Sequence, residues 1–386
     1  LIFSKVPTLR FKQFQNNWSA KRLSDIAEVV GGGTPDTTDS TLWNGDIQWF
    51  TPTEVGHSKY VSTSIRTISQ LGLQKSSAKI LPAGSILLSS RATVGECSIA
   101  QKDCTTNQGF QSLIPKKSVN NEFLYYLAQT QKRHFIKYAS GSTFLEISNS
   151  EIKKTKCAVP SIEEQTEIAT FLSAIDRKIE VQNKIISDLK VLKKELCNRY
   201  FKSVHNDTSL EYVTLKDILT ERKEYCSKDG TYIHGTLSKE GVSPKTERYD
   251  RDFLVKNEDK QYKVTHLNDI CYNPANLKFG VICRNTYGDL IFSPIYVTFE
   301  IANTVYPAYI ELFLTNANFI GRIRRYEQGT VYERMAVSPE DFLSYETRMP
   351  TYEEQVKFAD KIQRIQDKIE LETSFLNYLQ KQRKYF

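Results

Sequence analysis

The chain has 386 residues, enough for two domains of ordinary size, and at 40% hydrophobic and 25% charged residues a soluble globular protein is expected. No run of eighteen apolar residues is present, so no membrane-spanning helix is predicted. The first residues lack the apolar core of a secretory signal peptide. The seven cysteines form no CxxC pair and the five histidines are scattered, so we expect reduced thiols, a cytoplasmic location and no metal site.

The net charge of +7 is unevenly distributed along the chain. Residues 1–157 hold 19 Lys and Arg against 11 Asp and Glu, a net of +8. Residues 205–349 hold 18 against 21, a net of −3. A basic first part suits a polyanionic partner such as DNA, but a solvated surface explains the same charge. Charge alone does not decide between them.

Short strands separated by polar loops are predicted in the first part of the chain. The glycine-rich loop 31–35 lacks the Gly-Lys-Ser/Thr of a phosphate-binding P-loop, which favours a flexible turn. Asn44-Gly45, between aromatic residues, predicts a hairpin turn. Strands are predicted at 84–88 and 110–114, followed by a helix over 123–138.

A long helix with a coiled-coil seam is predicted next. It begins at residues 159–165 (VPSIEEQ), where Ser161 lies three residues ahead of Glu164 and predicts a capping box behind a proline. Apolar residues then recur at alternating steps of four and three, the heptad pattern. They are Ile168, Leu172, Ile175, Ile179, Ile186 and Leu189.

The second half repeats this plan loosely. Residues 215–218 (LKDI) correspond to 23–26 (LSDI), residues 268–273 to 84–89, and residues 295–299 to 110–114. A helix is predicted over 307–326. The globular parts match less well than the long helices do, which indicates two domains that perform different versions of one task.

The long helix returns with an offset of 350 − 160 = 190, since residues 349–355 read MPTYEEQ. The skipped seam position is polar in both copies, Gln182 and Glu372, which predicts a polar pair that fixes the register. One such helix would suggest an amphipathic element on a globular core. Two in phase favour a packed pair and a tandem duplication. The second seam holds Phe358, Ile362, Ile365, Ile369, Leu376 and Leu379.

Five features of the sequence together carry a family resemblance. They are residues 7–11 (PTLRF), 32–35 (GGTP) with 43–49 (WNGDIQW), 89–91 (SSR) with Gly95, 106–110 (TNQGF), and the two PxxEEQ helices. With these features in this order, the chain resembles the specificity subunit of a type I DNA restriction-modification enzyme.

The resemblance implies an α+β fold. It consists of two mixed α/β target-recognition domains, separated by two long antiparallel coiled-coil helices, in a pseudo-two-fold tandem duplication. On this interpretation residues 1–158 form the first DNA target-recognition domain and 159–204 the central spacer helix. Residues 205–348 form the second domain and 349–386 the C-terminal spacer helix.

The resemblance also implies a function without catalysis. Each domain would read one half of an asymmetric bipartite site in double-stranded DNA, and the helices would set the spacing between the halves. The implied partners are methyltransferase subunits, two in number, and restriction-translocase subunits that join through the complex. No cofactor is expected in this chain, because S-adenosylmethionine, Mg and ATP would belong to the partner subunits.

Polar side chains on the loops are the candidates for DNA contact, because base readout uses short polar and guanidinium groups on rigid loops. Each also has a structural explanation, since Asn107 could order a turn, Thr34 could cap one and Arg91 could pair with a carboxylate. The DNA-binding candidates are Thr34, Ser90, Arg91, Thr93, Asn107, Gln108, Asn273, Asn276, Lys278 and Arg284.

A second group of candidates is predicted to lie in the interface of the helix pair or of its partners. These residues are Glu164, Gln165, Leu172, Ile175, Ile179, Ile186, Glu354, Gln355, Ile362, Ile365, Ile369 and Leu376.

Two other classes of function stay open at this point. Asn273-Pro274 faintly resembles the site of an adenine methyltransferase, and two Glu-x-Lys sequences, at 151–153 and 221–223, have nuclease-like spacing. No methyl-donor loop precedes the first and no acidic partner strand accompanies the others. The second alternative is a protein-binding coiled-coil scaffold without DNA readout.

Overall fold

The computed structural model describes residues 9–141, 145–227, 230–239, 241–245, 261–328 and 335–385. The chain divides into two compact units, positions 1–180 with 379–386, and positions 181–378. Pro7 and Thr8 of the PTLRF motif lie outside the described residues. Within the described residues no helix has the length and apolar character needed to span a membrane.

The first unit contains short strands arranged in a five-stranded, a three-stranded and a two-stranded sheet, with the orders β2-β9-β6-β7-β4, β5-β3-β8 and β1-β10. The described strands are β1 (Ser19–Arg22), β2 (Ala27–Gly31), β3 (Trp43–Phe50), β4 (Tyr60–Val61), β5 (Arg66–Ile68), β6 (Ile86–Leu88), β7 (Cys97–Ala100), β8 (Cys104–Thr106), β9 (Gln111–Pro115) and β10 (Lys156–Val159). The helices are α1 (Leu23–Ile26), α2 (Gln70–Gln74), α3 (Asn121–Thr130), α4 (Lys132–Tyr138), α5 (Asn149–Lys154) and the start of α6 (Ile162–Asn206).

The five-stranded sheet is buried on both faces, which explains the continuous apolar run of β6. Because strand side chains alternate, Ile86 and Leu88 face the core that contains Phe123 of α3. Leu87 faces a second core with Phe110 and Phe50. A strand covered on both faces reads as uniformly hydrophobic rather than alternating.

The predicted hairpin at Asn44-Gly45 is wrong, because both residues lie inside strand β3. Asn44 takes the left-handed conformation, with φ of 60°, and the register against β5 shifts between Trp43 and Ile47. The pair therefore forms a bulge. A Cβ at Gly45 would lie 2.5 Å from the Cα of Ser69, so the neighbouring backbone requires glycine here. The predicted helix 123–138 is likewise two helices, α3 and α4.

The second unit repeats the central topology of the first. Its four-stranded sheet has the order β12-β20-β17-β18, which matches β2-β9-β6-β7, and its two-stranded sheet β11-β21 matches β1-β10. A further sheet has the order β13-β16-β19-β14-β15. The described strands are β11 (Tyr212–Thr214), β12 (Leu219–Glu221), β13 (Tyr225–Cys226), β14 (Ile233–Ser238), β15 (Gly241–Pro244), β16 (Tyr262–Thr265), β17 (Ile270–Tyr272), β18 (Ile282–Arg284), β19 (Leu290–Phe292), β20 (Val297–Ile301) and β21 (Glu346–Arg348).

The helices of the second unit follow the same order as those of the first. The described ones are α7 (Leu215–Ile218), α8 (Pro307–Leu314), α9 (Ala317–Ile323), α10 (Pro339–Leu343) and α11 (Tyr352–Tyr385), whose last residues belong to the first unit. The LSDI and LKDI segments are the equivalent short helices α1 and α7. The tandem duplication inferred from the sequence is confirmed by these equivalent elements.

Within the second unit, α6 and α11 pack in antiparallel directions. The Nε2 of Gln182 donates to the backbone oxygen of Glu372 at 3.1 Å and also to its carboxylate. Lys193 Nζ donates to Gln366 Oε1 at 2.9 Å, and the ring of Tyr200 stacks on Phe358 at 3.6 Å between centroids. The predicted polar pair at position 182 is confirmed. The seam positions Ile186, Ile365, Ile369 and Leu376 of this unit are buried or half-buried, and so are Ile175 and Ile179 in the first unit.

The polar pair gives a testable prediction about helix stability. Gln182→Leu removes the hydrogen bonds that Glu372 accepts from Gln182 and leaves the carboxylate its ion pair with Lys368, so we expect the Tm of the second unit to fall by about 2–5 °C. In the double variant Gln182→Leu/Glu372→Leu both polar groups are gone, and the Tm should recover. Thermal unfolding of both single variants and the double variant measures the coupling. If the Tm decreases of the two single variants simply added in the double variant, the interaction between Gln182 and Glu372 would be contradicted.

The prediction for Glu164, Gln165 and Gln355 needs correction, because these buried side chains hold each long helix to its own domain. Gln165 Oε1 accepts the backbone N–H of Asn120 at 3.0 Å, at the start of α3. Gln355 Oε1 accepts that of Tyr306 at 2.9 Å, at the start of α8.

The glutamates ahead of these glutamines have diverged. Glu164 accepts two bonds from the guanidinium of Arg10, at 2.6 and 2.7 Å. Exposed Glu354 instead completes the predicted capping box by accepting from Thr351 N at 3.0 Å. Two further seam residues also serve the domains, since Leu172 lies in the first core and Ile362 packs with Tyr309 in the second unit.

The first unit has a groove of about 420 Å³, and the equivalent position in the second unit is filled by side chains. In the second unit, Tyr200 and Phe201 at the end of α6 pack among a cluster of apolar side chains that includes Tyr309, Phe313, Phe358 and Ile362. Gln165 contacts the start of α3 and Gln355 contacts the start of α8, so α3 and α8 are equivalent helices. The 190-residue offset makes α6 and α11 equivalent in the same way. The equivalent side chains in the first unit line the groove, and they are Phe123, Leu127, Ile168 and Leu172.

Prolonging α11 should fill this groove. In the first unit, Arg383 Nε donates to Asp176 Oδ1 at 3.1 Å. At the 190-residue offset, this contact is equivalent to the one between Lys193 and Gln366 in the second unit. We expect replacement of residues 384–386 by the sequence of 194–204 to stabilise the first unit by about 2 kcal/mol, or roughly 4–8 °C in Tm. Calorimetry measures this, with the same extension lacking its Tyr-Phe pair as control. Equal Tm values for the two extensions would contradict it.

Candidate nucleic-acid interface

In the first unit, the three loops that carry the predicted DNA-binding residues lie together with a fourth loop, 50–54. We call residues 31–35, 50–54, 89–95 and 107–110 the first loop cluster. Backbone hydrogen bonds join them: Gly33 N donates to Thr106 O at 2.8 Å, Asn107 N to Phe50 O at 3.0 Å and Ser90 N to Gly109 O at 2.8 Å. Loops fixed to one another in this way present their side chains as one rigid surface.

The glycine run in this cluster serves loop packing. A Cβ at Gly32 would lie 2.0 Å from the backbone oxygen of Asn107, and one at Gly33 would lie 2.3 Å from Ser77 Oγ. Backbone approaches this close admit only glycine. The close approach of the loops therefore accounts for these glycines without a bound phosphate.

Three of the candidates, Thr34, Asn107 and Gln108, lie together. The Thr34 hydroxyl donates to Gln108 Oε1, which orients the exposed Gln108 amide. Asn107 Oδ1 accepts the backbone N–H of Gly109 at 2.9 Å, so its carbonyl orders the turn. A side-chain amide held this way can offer both a donor and an acceptor to a base edge, as adenine recognition requires.

The loop 89–95 changes the assignment of Ser90. Its side chain is 0% exposed, which prevents its hydroxyl from reaching DNA in this conformation. Its backbone instead ties two segments together, donating to Gly109 O and accepting from Ile147 N at 3.0 Å. Ser90 is therefore a framework residue, a role that its polar side chain did not indicate.

The exposed part of the same loop consists of Arg91, Ala92 and Thr93. Both Arg91 Nε and Nη2 donate to Glu146 Oε2, at 3.0 and 2.6 Å, in the carboxylate pairing that was the structural alternative. Ala92 has a φ of 62°, an uncommon left-handed conformation that stores strain. Thr93 is exposed beside it. An arginine paired at the surface can exchange its carboxylate for a guanine edge or a phosphate at small cost.

In the second unit, three of the four predicted residues lie on one loop. Asn273 is 8% exposed and its Oδ1 accepts from Ala275 N at 3.1 Å, capping the 3-10 helix Pro274–Phe279. Asn276 is exposed on that turn, and the half-buried Lys278 extends over the Phe279 ring at 5.4 Å. Asn276 and Lys278 are available to a ligand, whereas Asn273 shapes the loop.

Arg284 was predicted to lie with this loop, and the prediction is wrong. It pairs with Ile270, at the opposite end of the β17-β18 hairpin from the loop. Its guanidinium donates to Glu311 Oε2 at 3.0 Å and to Asn268 Oδ1 at 2.7 Å. The sequence could not reveal this, because strand register and the position of α8 depend on long-range packing.

A charged cluster in the second unit escaped the sequence analysis. Arg222 donates twice to Asp269, at 2.7 and 2.9 Å. His266 lies between Asp289, at 2.8 Å from Nδ1, and Glu224, at 3.1 Å from Nε2. Burial alone lowers the pKa of His266, but the two carboxylates outweigh it and raise the pKa above its ordinary value.

This cluster predicts a pH dependence of stability. Because the folded pKa of His266 is raised, its contribution is complete below the unfolded pKa of about 6.5. The contribution is lost as the pH rises through the folded pKa. We expect the Tm difference between the wild type and His266→Gln to shrink by about 1–3 °C between about pH 5.5 and 8.5. Thermal unfolding at both values measures it, and a difference that grows with pH would contradict it.

The glutamates of the two Glu-x-Lys sequences, which suggested a nuclease, form ion pairs within the fold. Glu151 pairs with Lys154 at 3.3 Å on α5, and Glu221 pairs with Lys263 at 3.1 Å. Burial raises the pKa of Cys97 and of Cys104 to about 12, so these thiols stay protonated at neutral pH. Among the described residues, no His, Cys, Asp and Glu side chains are grouped to hold a metal ion.

Comparison with known proteins shows what the chain is similar to. Residues 15–191 match the type I restriction modification DNA specificity domain. The first half of the chain is therefore similar to type I specificity subunits. Its relatives include the Methanocaldococcus jannaschii type I restriction enzyme MjaIX specificity subunit, 40% identical over 48% of this chain and 44% of the relative. The HindI specificity subunit of Haemophilus influenzae is 29% identical over 45% and 39%. The matches thus span less than half the length of these two curated relatives.

The fold comparison covers both halves of the chain. The type I S subunit of M. genitalium matches with a TM-score of 0.58 at 14% identity, covering 99% of this chain and 97% of that one. The HsdS subunit of Thermoanaerobacter tengcongensis matches with a TM-score of 0.50 at 12% identity, covering 95% and 94%. At these identities the likeness establishes the fold, and it confirms the α+β architecture expected from the sequence.

Proposed function

We propose that this chain is the sequence-reading subunit of a type I restriction-modification complex, with each globular domain reading one half of a bipartite DNA site. The observation that carries the proposal is the rigid first loop cluster, within the segment that matches the DNA specificity domain. Of the candidates, Thr34, Asn107 and Gln108 suit base readout in the first half-site. Arg91 and Thr93 suit base or phosphate contacts.

In the second domain we assign DNA contact to Asn276 and Lys278, the accessible residues of the capped loop. Ser90, Asn273 and Arg284 are assigned framework roles, for the burial and pairing described above. Duplication of the sheet topology supports two independent readers, since each unit carries its loop from its own strands.

The partners are proposed to dock on the helix pair. In the second unit, one flank of the seam is apolar and exposed at Val181, Ile185, Leu371, Phe375 and Tyr378, with exposures from 37 to 62%. Ile185 and Phe375 occupy flanking heptad positions that lie on the same side of an antiparallel pair. A contiguous apolar surface rimmed by charge suits a protein partner. We assign it to methyltransferase subunits, two in number, through which restriction subunits join.

The catalytic chemistry is assigned to those partners, together with S-adenosylmethionine, Mg and ATP. A reduced cytoplasmic setting fits seven free cysteines, six of which are buried. The alternative of a protein-only scaffold is not favoured, because it leaves the rigid polar loop surfaces without a role.

A gel-shift experiment with the full chain tests the proposal. We expect the chain with its methyltransferase partner to retain DNA that contains the recognised site and to release it to unlabelled specific competitor. The chain alone should neither methylate nor cut DNA. Equal competition by random DNA would contradict sequence reading, and methyl transfer by a preparation free of partner subunits would contradict the non-catalytic role.

A further inference from the structure

Ile65 has the highest exposure of any large apolar side chain in the described part of the protein. It is 85% exposed, whereas the next values are 62%, at Leu371 and Ile295. Single exposed aliphatic residues are ordinary on protein surfaces, so exposure by itself indicates nothing. The backbone that carries this one makes it unusual.

The chain on either side of Ile65 is held firmly. Its own N–H donates to Glu54 Oε1 at 2.7 Å. Ser64 N donates to Gln48 Oε1 at 2.6 Å, and Ser64 Oγ donates to the backbone oxygen of Arg66 at 2.6 Å. The next guanidinium, of Arg66, lies 3.5 Å from the ring centroid of Trp43. A β-branched side chain with few rotamers is therefore presented to solvent from an immobilised backbone.

This position is joined directly to the first loop cluster. Glu54, which accepts from Ile65 through Oε1, accepts from Thr51 N through Oε2 at 2.8 Å. Thr51 follows Phe50, whose backbone oxygen accepts from Asn107 N. Ile65 is thus linked through Glu54 to loop 50–54, which in turn is bonded to the loop that carries the proposed base-reading amides.

The geometry points to Ile65 as a specificity residue: we propose that its side chain reads a thymine of the first half-site by packing on the C5-methyl group. The polar loops supply donors and acceptors, and their exposed apolar groups at Ala92 and Thr93 are single methyls, much smaller than the Ile65 side chain. The thymine methyl is the one apolar feature of the major-groove edges. A preorganised aliphatic group loses little side-chain entropy on binding. This inference rests on the proposed function.

Replacing thymine by deoxyuridine tests the contact, because it removes only the methyl group. Once methylation mapping has defined the first half-site, each of its thymines is exchanged singly and binding to the full chain with its partner is measured. We expect one exchange to weaken wild-type binding about four-fold, the value for one methyl group leaving water. Ile65→Ala should bind normal DNA about four- to ten-fold more weakly and be insensitive to that exchange.

Two controls keep the outcomes distinct. Ile80→Ala, at a residue 43% exposed and outside the first loop cluster, should bind like the wild type, and Ile65→Val should retain most of the discrimination. Unchanged binding by Ile65→Ala would overturn the inference while leaving sequence reading intact. Weaker binding without coupling to any thymine would also overturn it. Absence of sequence preference in the wild type would instead defeat the proposed function, and this inference with it.

Discussion

Exchange of residues 18–157 for the same segment of a relative with a different target is expected to change one half of the recognised sequence and leave the other unchanged. All four loops of the first loop cluster lie within this segment, and the hydrogen bonds that fix them are made inside it. Sequencing of methylated sites, after the hybrid is assembled with its methyltransferase, measures the outcome. The size of the effect is complete replacement of a half-site rather than a graded loss.

The reciprocal exchange, of residues 205–348, is the matched control and should change only the other half. The relative chosen for the first exchange needs a tryptophan at the position of Trp18, because Trp18 Nε1 donates to Glu164 at 3.1 Å beside the pairing of Glu164 with Arg10. If either exchange altered both halves, the two domains would share one readout surface. The proposal of independent readers would then be abandoned.

Lengthening the helix pair is expected to widen the gap between the half-sites without changing the bases read in either. Four residues inserted after Lys193 and four after Ile365 keep the Lys193–Gln366 contact and leave Tyr200 facing Phe358. Four residues add about 6 Å at a rise of about 1.5 Å per residue. Since B-DNA rises about 3.4 Å per base pair, the gap should grow by one to two base pairs.

Insertion in α6 alone is the control for this experiment. It would shift Tyr200 and Phe201 by one turn against Phe358, so the second unit should lose stability as well as activity. The matched insertion should weaken methylation less, because four residues introduce only a stutter into the heptad pattern. Methylation mapping reads out the gap. An unchanged gap would mean that the helices do not set the spacing, and changed half-site bases would mean that they shape the readout.

The architecture of the long helices could be predicted from the sequence because its signals are periodic and local. The heptad steps, the capping residues Ser161 and Thr351, and the polar positions 182 and 372 follow from helix geometry alone. The offset of 190 residues then related the two copies without any tertiary information. The structure confirms the polar pair through the Gln182–Glu372 hydrogen bonds.

The candidate site could be predicted only in outline. The candidate residues Thr34, Asn107 and Gln108, chosen from the sequence, do come together in the first domain. It could not distinguish a side chain that faces solvent from one that faces a neighbouring loop. Ser90 and Asn273 are buried, and Arg284 lies at the wrong end of its hairpin, because side-chain direction there depends on strand register.

The sequence by itself determined the duplication, the two long helices, their polar register pair and the resemblance to type I specificity subunits. Only the tertiary structure decided which loop residues reach solvent, that Gln165 and Gln355 lock each helix to its own domain, and that Ile65 projects from a pinned backbone. The reason is physical. Helix periodicity arises from contacts between residues three and four positions apart. Loop surfaces arise from contacts between segments that are tens of residues apart in the sequence, and no local pattern identifies which segments meet.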